Sequence, residues 1–444
     1  MILEKFFHLK ENNTNWRQEM IAGFTTFMTM SYIIFVQPAI LSIAGMDFGA
    51  VMVATCIASA IATLLMGFLA NYPIALAPAM GHNIFFVYTV CLGMKVGWQV
   101  ALGANFISGT IFIITSLISF RQRIIEAVPS SLRHAIAVGI GLLIAVIGLE
   151  WSGIIVGNPS TLVTLGNLKS LPVVLSIMGT LFMAILLVRR IKGAILLGIL
   201  FNLILGIIFG LIKFEGLISR PPSILPTFLK LDILSVFKGG INMLVVIFVL
   251  FFLDLFDTVG TLIGVGQQAG FITKEGKLAR AQQALLSDAL GTVEGTLLGT
   301  STITSYIESS AGVACGGRTG LSNIFTAFLF LISLFFYPLI KMVGGGFRVP
   351  EGTILYPVIA PALIIVGSLM LKNVQYINWD DYTESIPAFI TLLIMPLSLS
   401  ITEGIAFGFI SYSLLKIASG KAKEVSGLIY LFSFLFILRY IFLR

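Results

Sequence analysis

The sequence predicts an all-α protein that crosses the membrane in about fourteen segments, and three observations lead to that fold class. Hydrophobic residues make up 57% of the 444 residues and charged residues only 11%, whereas soluble domains are about one quarter charged. The mean hydropathy is +1.03. Long apolar runs also follow one another along the whole chain, so its surface suits lipid rather than water.

The apolar runs have the length of about 20 residues that a helix needs to cross a bilayer. The predicted segments are 19–42, 49–70, 74–92, 97–119, 134–152, 171–188, 193–213, 241–265, 281–299, 303–316, 320–342, 353–371, 386–400 and 402–417. Another apolar stretch, 427–443, either lies on the membrane or crosses it again. The predicted divisions are a cytoplasmic N-terminal segment (1–18), a first seven-segment repeat (19–213), an extracellular connection (214–240), a second repeat (241–417) and a hydrophobic C-terminal segment (418–444).

The positive charges indicate orientation rather than an anionic partner. The net charge is +7, but Lys and Arg are dispersed over short loops, which argues against a nucleic-acid-binding protein. Basic residues are more frequent in loops on the side of the N-terminus, so we expect that end to be cytoplasmic and the protein to lie in the cytoplasmic membrane. These loops include Arg121, Arg123, Arg133, Arg189, Arg190 and Lys192.

The sequence carries no motif that indicates an enzyme. Neither HExxH nor CxxC is present, and no GxSxG stands in a strand–turn–helix context. Cys56, Cys91 and Cys315 lie in apolar segments without metal-ligand spacing. We therefore predict no disulfide framework and no cofactor.

The third and tenth predicted segments are interrupted. Pro73, Pro78 and Gly81 break the first half of the third segment, and residues 299–317 are rich in hydroxyl side chains and glycine. Each segment reads as an extended approach followed by a half-helix, a form of backbone that survives at membrane depth only inside protein or beside a water-lined cavity. The two occupy equivalent places in two halves of seven segments, which is the best sequence pointer to the central site of a transporter.

Carboxyl groups occur in apolar surroundings, where each costs at least a few kcal/mol. In the eighth segment Asp254, Asp257, Thr258 and Thr261 have the spacing of one helix face. The tenth segment adds Glu308, and His82 and Asn83 directly follow the break in the third. Other polar residues favour structural interpretations or leave the role open. They are Thr25, Thr29 and Tyr32, whose spacing is typical of helix packing, Asp288, which serves either a proton path or the core, and Glu294, which has no evident partner.

These residue types suit a flat, neutral ligand that carries both N–H donors and acceptors, such as a nucleobase. Carboxylates accept hydrogen bonds from its N–H groups, while an Asn amide or backbone N–H groups donate to its acceptors. Taking a carboxyl group out of water favours its protonated form, which suits the exchange of a coupling proton. The candidate stacking residues are Phe85, Phe86, Phe251, Phe252 and Phe256.

At these residues the sequence resembles the AzgA-like purine permeases, a branch of the nucleobase–ascorbate (nucleobase–cation symporter two) family. The likeness covers nearly the whole chain, and its most specific motifs are DLFDT at 254–258 and TSYIESSAGV at 304–313. The resemblance implies two inverted seven-helix repeats divided into a core and a gate domain. In that fold the third and tenth segments pair short strands, and substrate binds between core and gate and moves with an elevator-like shift of the core.

The resemblance also implies residue roles. Asp254 and Glu308 would hold the base, Asn83 would line the site and Asp257 would support transport. We group His82 and Thr304 with the base, and Thr258, Asp288 and Glu308 with proton coupling. One departure concerns LAPAMGHNIFF, where family members commonly have LAPGMGLNAFF. Ala79 and His82 are the residues that differ at the positions beside the site.

The resulting hypothesis is a proton-coupled importer of adenine, guanine or hypoxanthine, with sodium as the less favoured coupling ion. Its partners would be the purine and the lipid bilayer, and a homodimer is left open. An anion transporter of the sulfate-permease type, on the same fold, is an alternative, although several carboxylates at the site would repel an anion. A channel is the other alternative, since pores also use carboxylates.

Overall fold

Helices make up most of the chain, which a computed structural model describes at residues 6–117, 128–271, 278–349 and 352–442. The helices are α1 (Trp16–Met30), α2 (Ile33–Ile43), α3 (Phe48–Leu65), α4 (Met80–Ile84), α5 (Trp98–Leu117), α6 (Ser130–Trp151), α7 (Leu171–Val188), α8 (Ala194–Ile208), α9 (Ile233–Lys238), α10 (Gly240–Ala269), α11 (Ala281–Leu298), α12 (Ser309–Ala314), α13 (Leu321–Ser333), α14 (Tyr337–Gly344), α15 (Ala360–Met370), α16 (Tyr382–Ser398), α17 (Ile401–Ala418) and α18 (Gly427–Phe442).

Short elements complete the secondary structure. π-helical turns continue α3 and α4, at Met66–Ala70 and Phe85–Gly93, and three-residue-per-turn helices occur at Leu334–Phe336, Leu371–Tyr376 and Ala422–Glu424. The strands are β1 (Leu76–Pro78), β2 (Ile155–Asn158), β3 (Leu162–Leu165), β4 (Ile303–Ser305), β5 (Phe347–Arg348) and β6 (Ile354–Leu355). They form three antiparallel pairs, β1 with β4, β2 with β3 and β5 with β6.

The predicted multi-pass helical fold is confirmed. A helix lies in each predicted segment over the described residues. In the same part of the chain, eight helices are long and apolar enough to cross a membrane, and four shorter apolar helices accompany them. The start of the N-terminal segment, the last two residues of the fourth segment, Arg121 and Arg123 lie outside the described residues.

The interruptions predicted in the third and tenth segments are the strands β1 and β4. They pair in antiparallel register, with Ala77 opposite Thr304. Backbone hydrogen bonds extend the pair at both ends, from Ala79 N to Thr302 O (2.9 Å) and from Tyr306 N to Ala75 O (3.0 Å). The pairing satisfies backbone groups that no helix satisfies, which membrane depth requires.

Side-chain hydroxyl groups form further hydrogen bonds with the backbone of the third segment. The Thr63 hydroxyl accepts from Leu76 N (2.9 Å) and donates to Leu76 O (3.1 Å). The Ser309 hydroxyl accepts from Ala75 N (3.0 Å). Pro78 ends β1 and has no N–H to leave unpaired, so the sequence folds here into a short strand followed by a half-helix.

The chain divides into two compact units, of which the first comprises 1–117 and 149–362 and the second comprises 118–148 and 363–444. Within the first unit α11 packs on α3 and α5, and α13 packs on α1 and α3. Two backbones come close at Gly67 and Gly320, where a Cβ on Gly320 would lie 2.2 Å from Gly67 O. Only glycine permits that approach.

Within the second unit α16 and α17 form a hairpin, and the Met395 side chain fills the space left by Gly139 and Gly404. Asp381 is the N-cap of α16 and accepts from Thr383 N at 2.8 Å. Hydrogen bonds from Thr383, together with Lys421, hold the pKa of Asp381 below its usual range. Asp381 therefore caps the start of α16.

The C-terminal stretch is the helix α18, which packs on α17 in the opposite direction. Ser413 and Ser433 share a hydrogen bond of 2.9 Å, and ten residues earlier on α17 Glu403 pairs with Arg439 at 2.8 Å. The Tyr440 hydroxyl also donates to Glu403. Of the two interpretations of 427–443, this packing favours a further crossing, because α17 has the length and composition of a membrane span.

Candidate functional site

The candidate site lies where the two interrupted segments meet α10. Strand pairing brings together the starts of the half-helices α4 and α12, and both α4 and α12 pack against α10. Most of the residues predicted for the site are on these three helices and on β4. All of them belong to the first unit.

Glu308 is held at the start of α12 by the first segment. Tyr32 donates its hydroxyl to Glu308 Oε1 at 2.9 Å, and the Thr29 hydroxyl donates to Glu308 O at 3.3 Å. Glu308 itself is half-buried. Tyr32 therefore fixes one carboxylate oxygen of a side chain that is still partly accessible.

Asp257, on α10, lies close to Glu308. Its side chain is exposed, it accepts from the Thr304 hydroxyl at 3.4 Å, and it interacts electrostatically with Glu308. A Cβ on Gly260 would meet no atom within 4 Å, and one on Gly264 would meet only Ile307, at 3.4 Å. The two carboxylates, one from each of two separate segments, thus border an uncrowded strip of α10.

Asp254 lies on the buried side of α10. It is fully buried and its Oδ2 accepts from the Thr292 hydroxyl at 3.1 Å, while Oδ1 has no hydrogen-bond partner among the described residues. The Asp254 and Asp288 carboxyls are close enough to interact electrostatically.

Asp288 accepts hydrogen bonds at both of its carboxylate oxygens. Its Oδ2 accepts from the Thr258 hydroxyl at 2.8 Å, and its Oδ1 accepts from both the backbone N–H and the hydroxyl of Ser305, each at 2.8 Å. Asp288 thereby ties α11 to α10 and to the end of β4. The structure supports a bracing role for this residue beside the predicted role in proton coupling.

Asn83 is also fully buried and uses both ends of its amide. It donates to Gln37 Oε1 and accepts from the Ser301 hydroxyl. Gln37 in turn donates to the hydroxyls of Thr300 (2.9 Å) and Ser301 (3.0 Å). Asn83 therefore fastens α4 to the approach of β4, and its predicted contact with substrate stays a prediction.

His82 faces α10 one turn before Asp254. It hydrogen-bonds with the backbone of Leu250, is buried, and its Nε2 has no partner among the described residues. Of the predicted stacking residues, Phe85, Phe86, Phe251 and Phe252 are buried, whereas Phe256 is half-buried. The Phe256 ring packs on that of Phe252, with 4.4 Å between the ring centroids.

Sequence reasoning missed the contribution of the first segment. The spacing of Thr29 and Tyr32 is typical of helix packing and does not indicate their hydrogen bonds to Glu308. Tyr306 also donates its hydroxyl to Pro78 O across the strand pair. A polar side chain such as Gln37 in an otherwise apolar helix was the signal that could have identified the contribution of the first segment.

Comparison with known proteins gives matches that span nearly the whole chain. The family model Xan_ur_permease, described as "Permease family", matches residues 17–438. The chain is 46% identical to the guanine/hypoxanthine permease PbuG of Bacillus subtilis (strain 168) over 452 residues, covering all of both proteins. It is 45% identical to the adenine permease AdeP of Escherichia coli (strain K12) over 442 residues, covering 100% of this chain and 96% of that one.

A solved structure supplies the fold. The transmembrane domain of a cyanobacterium bicarbonate transporter, BicA, is similar with a TM-score of 0.60 at 16% identity, covering 88% of this chain and 96% of that one. Identity at this level shows a shared fold and nothing about the cargo. The predicted fold of two seven-segment halves with short central strands is confirmed.

Proposed function

The chain belongs to the Permease family (Xan_ur_permease), and from that membership we propose that it imports purine nucleobases across the cytoplasmic membrane. It is a transporter and not an enzyme. One similar protein is named for adenine and another for guanine and hypoxanthine, at nearly equal identity. The proposed substrates are therefore the purine bases adenine, guanine and hypoxanthine.

The observation that carries this proposal is the placement of Asp257 and Glu308 on one open space. A purine presents N–H donors along its edge, and two carboxylates from different helices accept from two of them at once. The half-buried Phe256 supplies a face for the ring. The same pair of negative charges disfavours an anion at this point.

The geometry favours a change in how the two aspartates are assigned. The resemblance gave base binding to Asp254, but Asp254 is buried against Thr292 while Asp257 is exposed beside Glu308. We propose that Asp257 and Glu308 bind the base and that the buried Asp254–Asp288 pair holds the coupling proton. Proton symport is supported by this pair, since a shared buried site favours one protonated carboxyl.

The strand pair supports an elevator-like movement. Because β1 and β4 are hydrogen-bonded to each other, the half-helices α4 and α12 move as one body with the residues that bind the base.

The N-terminus is proposed to be cytoplasmic, from the distribution of Lys and Arg in the loops.

The test is uptake of radiolabelled adenine, guanine, hypoxanthine and uracil into proteoliposomes of the purified protein, with and without an inward proton gradient. We expect saturable accumulation of purines that a protonophore abolishes and a sodium gradient does not replace. Accumulation against a gradient also separates a carrier from a channel. Uptake of bicarbonate or sulfate without any purine uptake would contradict the proposal.

A matched pair of variants tests the site. Glu308→Gln should abolish purine uptake while the protein stays folded in the membrane, because the amide replaces an acceptor oxygen with a donor. Glu150→Gln is the control, since Glu150 is exposed and lies near the end of α6. Normal uptake by Glu308→Gln would remove Glu308 from the site.

A further inference from the structure

Glu294 on α11 is a buried carboxyl that the base site does not use. Both of its carboxylate oxygens are buried without a hydrogen-bond partner among the described residues. Asp288 and Thr292 of the same helix turn towards α10. At 100° per residue, Glu294 lies about 200° around the helix from Thr292, so it faces away from that cluster.

Glu294 lies level with one unpartnered hydroxyl on α3 and about one turn from a second. The Ser287 hydroxyl donates to Leu65 O at 3.3 Å, and a Cβ on Gly291 would lie 2.8 Å from the Ala62 Cβ. These contacts set an antiparallel register, in which the next turn of α3 brings Ser59 level with Glu294 and Thr55 level with Leu298. Both hydroxyls are fully buried and have no hydrogen-bond partner in the described part of the chain.

In the described part of the chain, the elements with the most contacts to α11 carry no basic side chain. The elements packed on α11 are α3, α5, α10, β1, β4 and the turn Met66–Ala70. α3 contributes one titratable group, the Cys56 thiol, while α5, β1, β4 and the turn contribute none. The two aspartates of α10 belong to the cluster on the other side. An unpaired ionised carboxylate in such a place costs several kcal/mol, so the neutral acid is the stable form.

Glu294 lies close to the end of α11 that the 214–240 connection covers. The connection 214–240 caps that end, where the Thr227 hydroxyl donates to Leu298 O at 3.2 Å and Leu229 N donates to Leu297 O at 2.8 Å. Lys230 beside this cap is exposed. Glu294 lies four residues before Leu298, about 6 Å along the helix, and hence one turn beneath the capped end.

We propose that Glu294 is a second proton-binding site of the carrier, loaded from the side of the 214–240 connection, with Ser59 and Thr55 as hydrogen-bond partners of the bound proton or its water. In this step a hydronium ion gives its proton to the Glu294 carboxylate and leaves as water, and release is the reverse. The idea rests on the proposed proton-coupled function and extends it, because the proton enters at a point separate from the base.

The first test needs no transport. Dicyclohexylcarbodiimide reacts with protonated carboxyls in apolar surroundings, and mass spectrometry identifies the modified residue. We expect Glu294 to be modified in the membrane-embedded protein at neutral pH, with less modification as the pH rises, and the exposed Glu150 to remain unmodified. Absence of modification at Glu294 across the pH range would overturn the proposal.

The second test separates coupling from base binding. Glu294→Gln should retain purine binding and purine counterflow but lose accumulation driven by a proton gradient, and Glu294→Asp should restore part of that accumulation. Gradient-driven accumulation equal to wild type would overturn the proposal, and so would loss of both counterflow and accumulation in folded protein. If the wild-type protein transports no purine, the proposed function fails, while the modification of Glu294 still shows whether it binds a proton.

Discussion

Tyr32 donates its hydroxyl to Glu308 Oε1 over 2.9 Å, across a separation of 276 residues in the sequence. Tyr32 lies between α1 and α2, where the predicted first segment divides into two helices. The bond fixes one oxygen of the Glu308 carboxylate at the start of α12. The first segment is thus a part of the site and not only a neighbour of it.

Replacing Tyr32 by Phe should weaken purine binding while the ring packing is retained. A hydrogen bond to a charged group contributes about 1.5–3 kcal/mol, so we expect the KM for uptake to rise by about tenfold or more. Kinetics of purine uptake in proteoliposomes measure this change. Tyr382→Phe is the matched control, since Tyr382 is exposed at the start of α16, and equal KM values for the two variants would contradict the role of Tyr32.

The two aspartates of α10 should differ when each is changed to Asn. Asp257→Asn should lose purine binding, because Asp257 borders the open space. Asp254→Asn should retain binding and lose proton-driven accumulation, because Asp254 is buried next to Asp288. Equilibrium binding of radiolabelled purine and gradient-driven uptake separate the two effects. The reverse pattern would restore the assignment of base binding to Asp254.

Removal of the Asp288 carboxyl should destabilise the protein. Asp288→Ala leaves the Thr258 hydroxyl and both Ser305 donors without their acceptor. Unsatisfied buried donors cost about 1–3 kcal/mol each, so the free energy of unfolding should fall by about 2 kcal/mol or more. The measurement is the thermal unfolding midpoint in detergent, with the exposed Asp380 changed to Ala as control. An unchanged midpoint would show that Asp288 is no brace.

The end of the chain should lie on the opposite membrane side from residue 420. Single cysteines at Gly420 and Ile441, both exposed, would be introduced after replacement of Cys56, Cys91 and Cys315. An impermeant maleimide applied to sealed, oriented vesicles should label only one of the two from outside. Labelling of both from the same side would mean that α18 returns along the membrane surface and does not cross it.

Much of the fold was predictable because apolar length and the breaks at Pro73, Pro78 and Gly81 report directly on the solvent and on backbone conformation. The carboxyls that form the site were predictable too, since their cost in lipid marks them. The direction in which each of these carboxyls points was not predictable. Residues three apart on a helix differ by about 60° in direction, and in α10 that angle separates the buried Asp254 from the exposed Asp257.

Contacts between distant segments were the other part beyond sequence reasoning. Tyr32 and Gln37 acquire their roles only from what folding places opposite them, Glu308 in one case and Asn83 in the other. Periodicity within a segment describes the faces of one helix and gives no information on which other helix a face will meet.

The strand pair also has a consequence for biosynthesis. The hydrogen bond from Ala75 N to the Ser309 hydroxyl joins residues 234 positions apart, and the pairing of β1 with β4 closes a similar distance. At about 5–20 residues per second, the ribosome needs roughly 10–50 s to make the second partner after the first. During that interval the backbone of the third segment has no strand to pair with, so the insertion machinery must shelter it until the second half of the chain emerges.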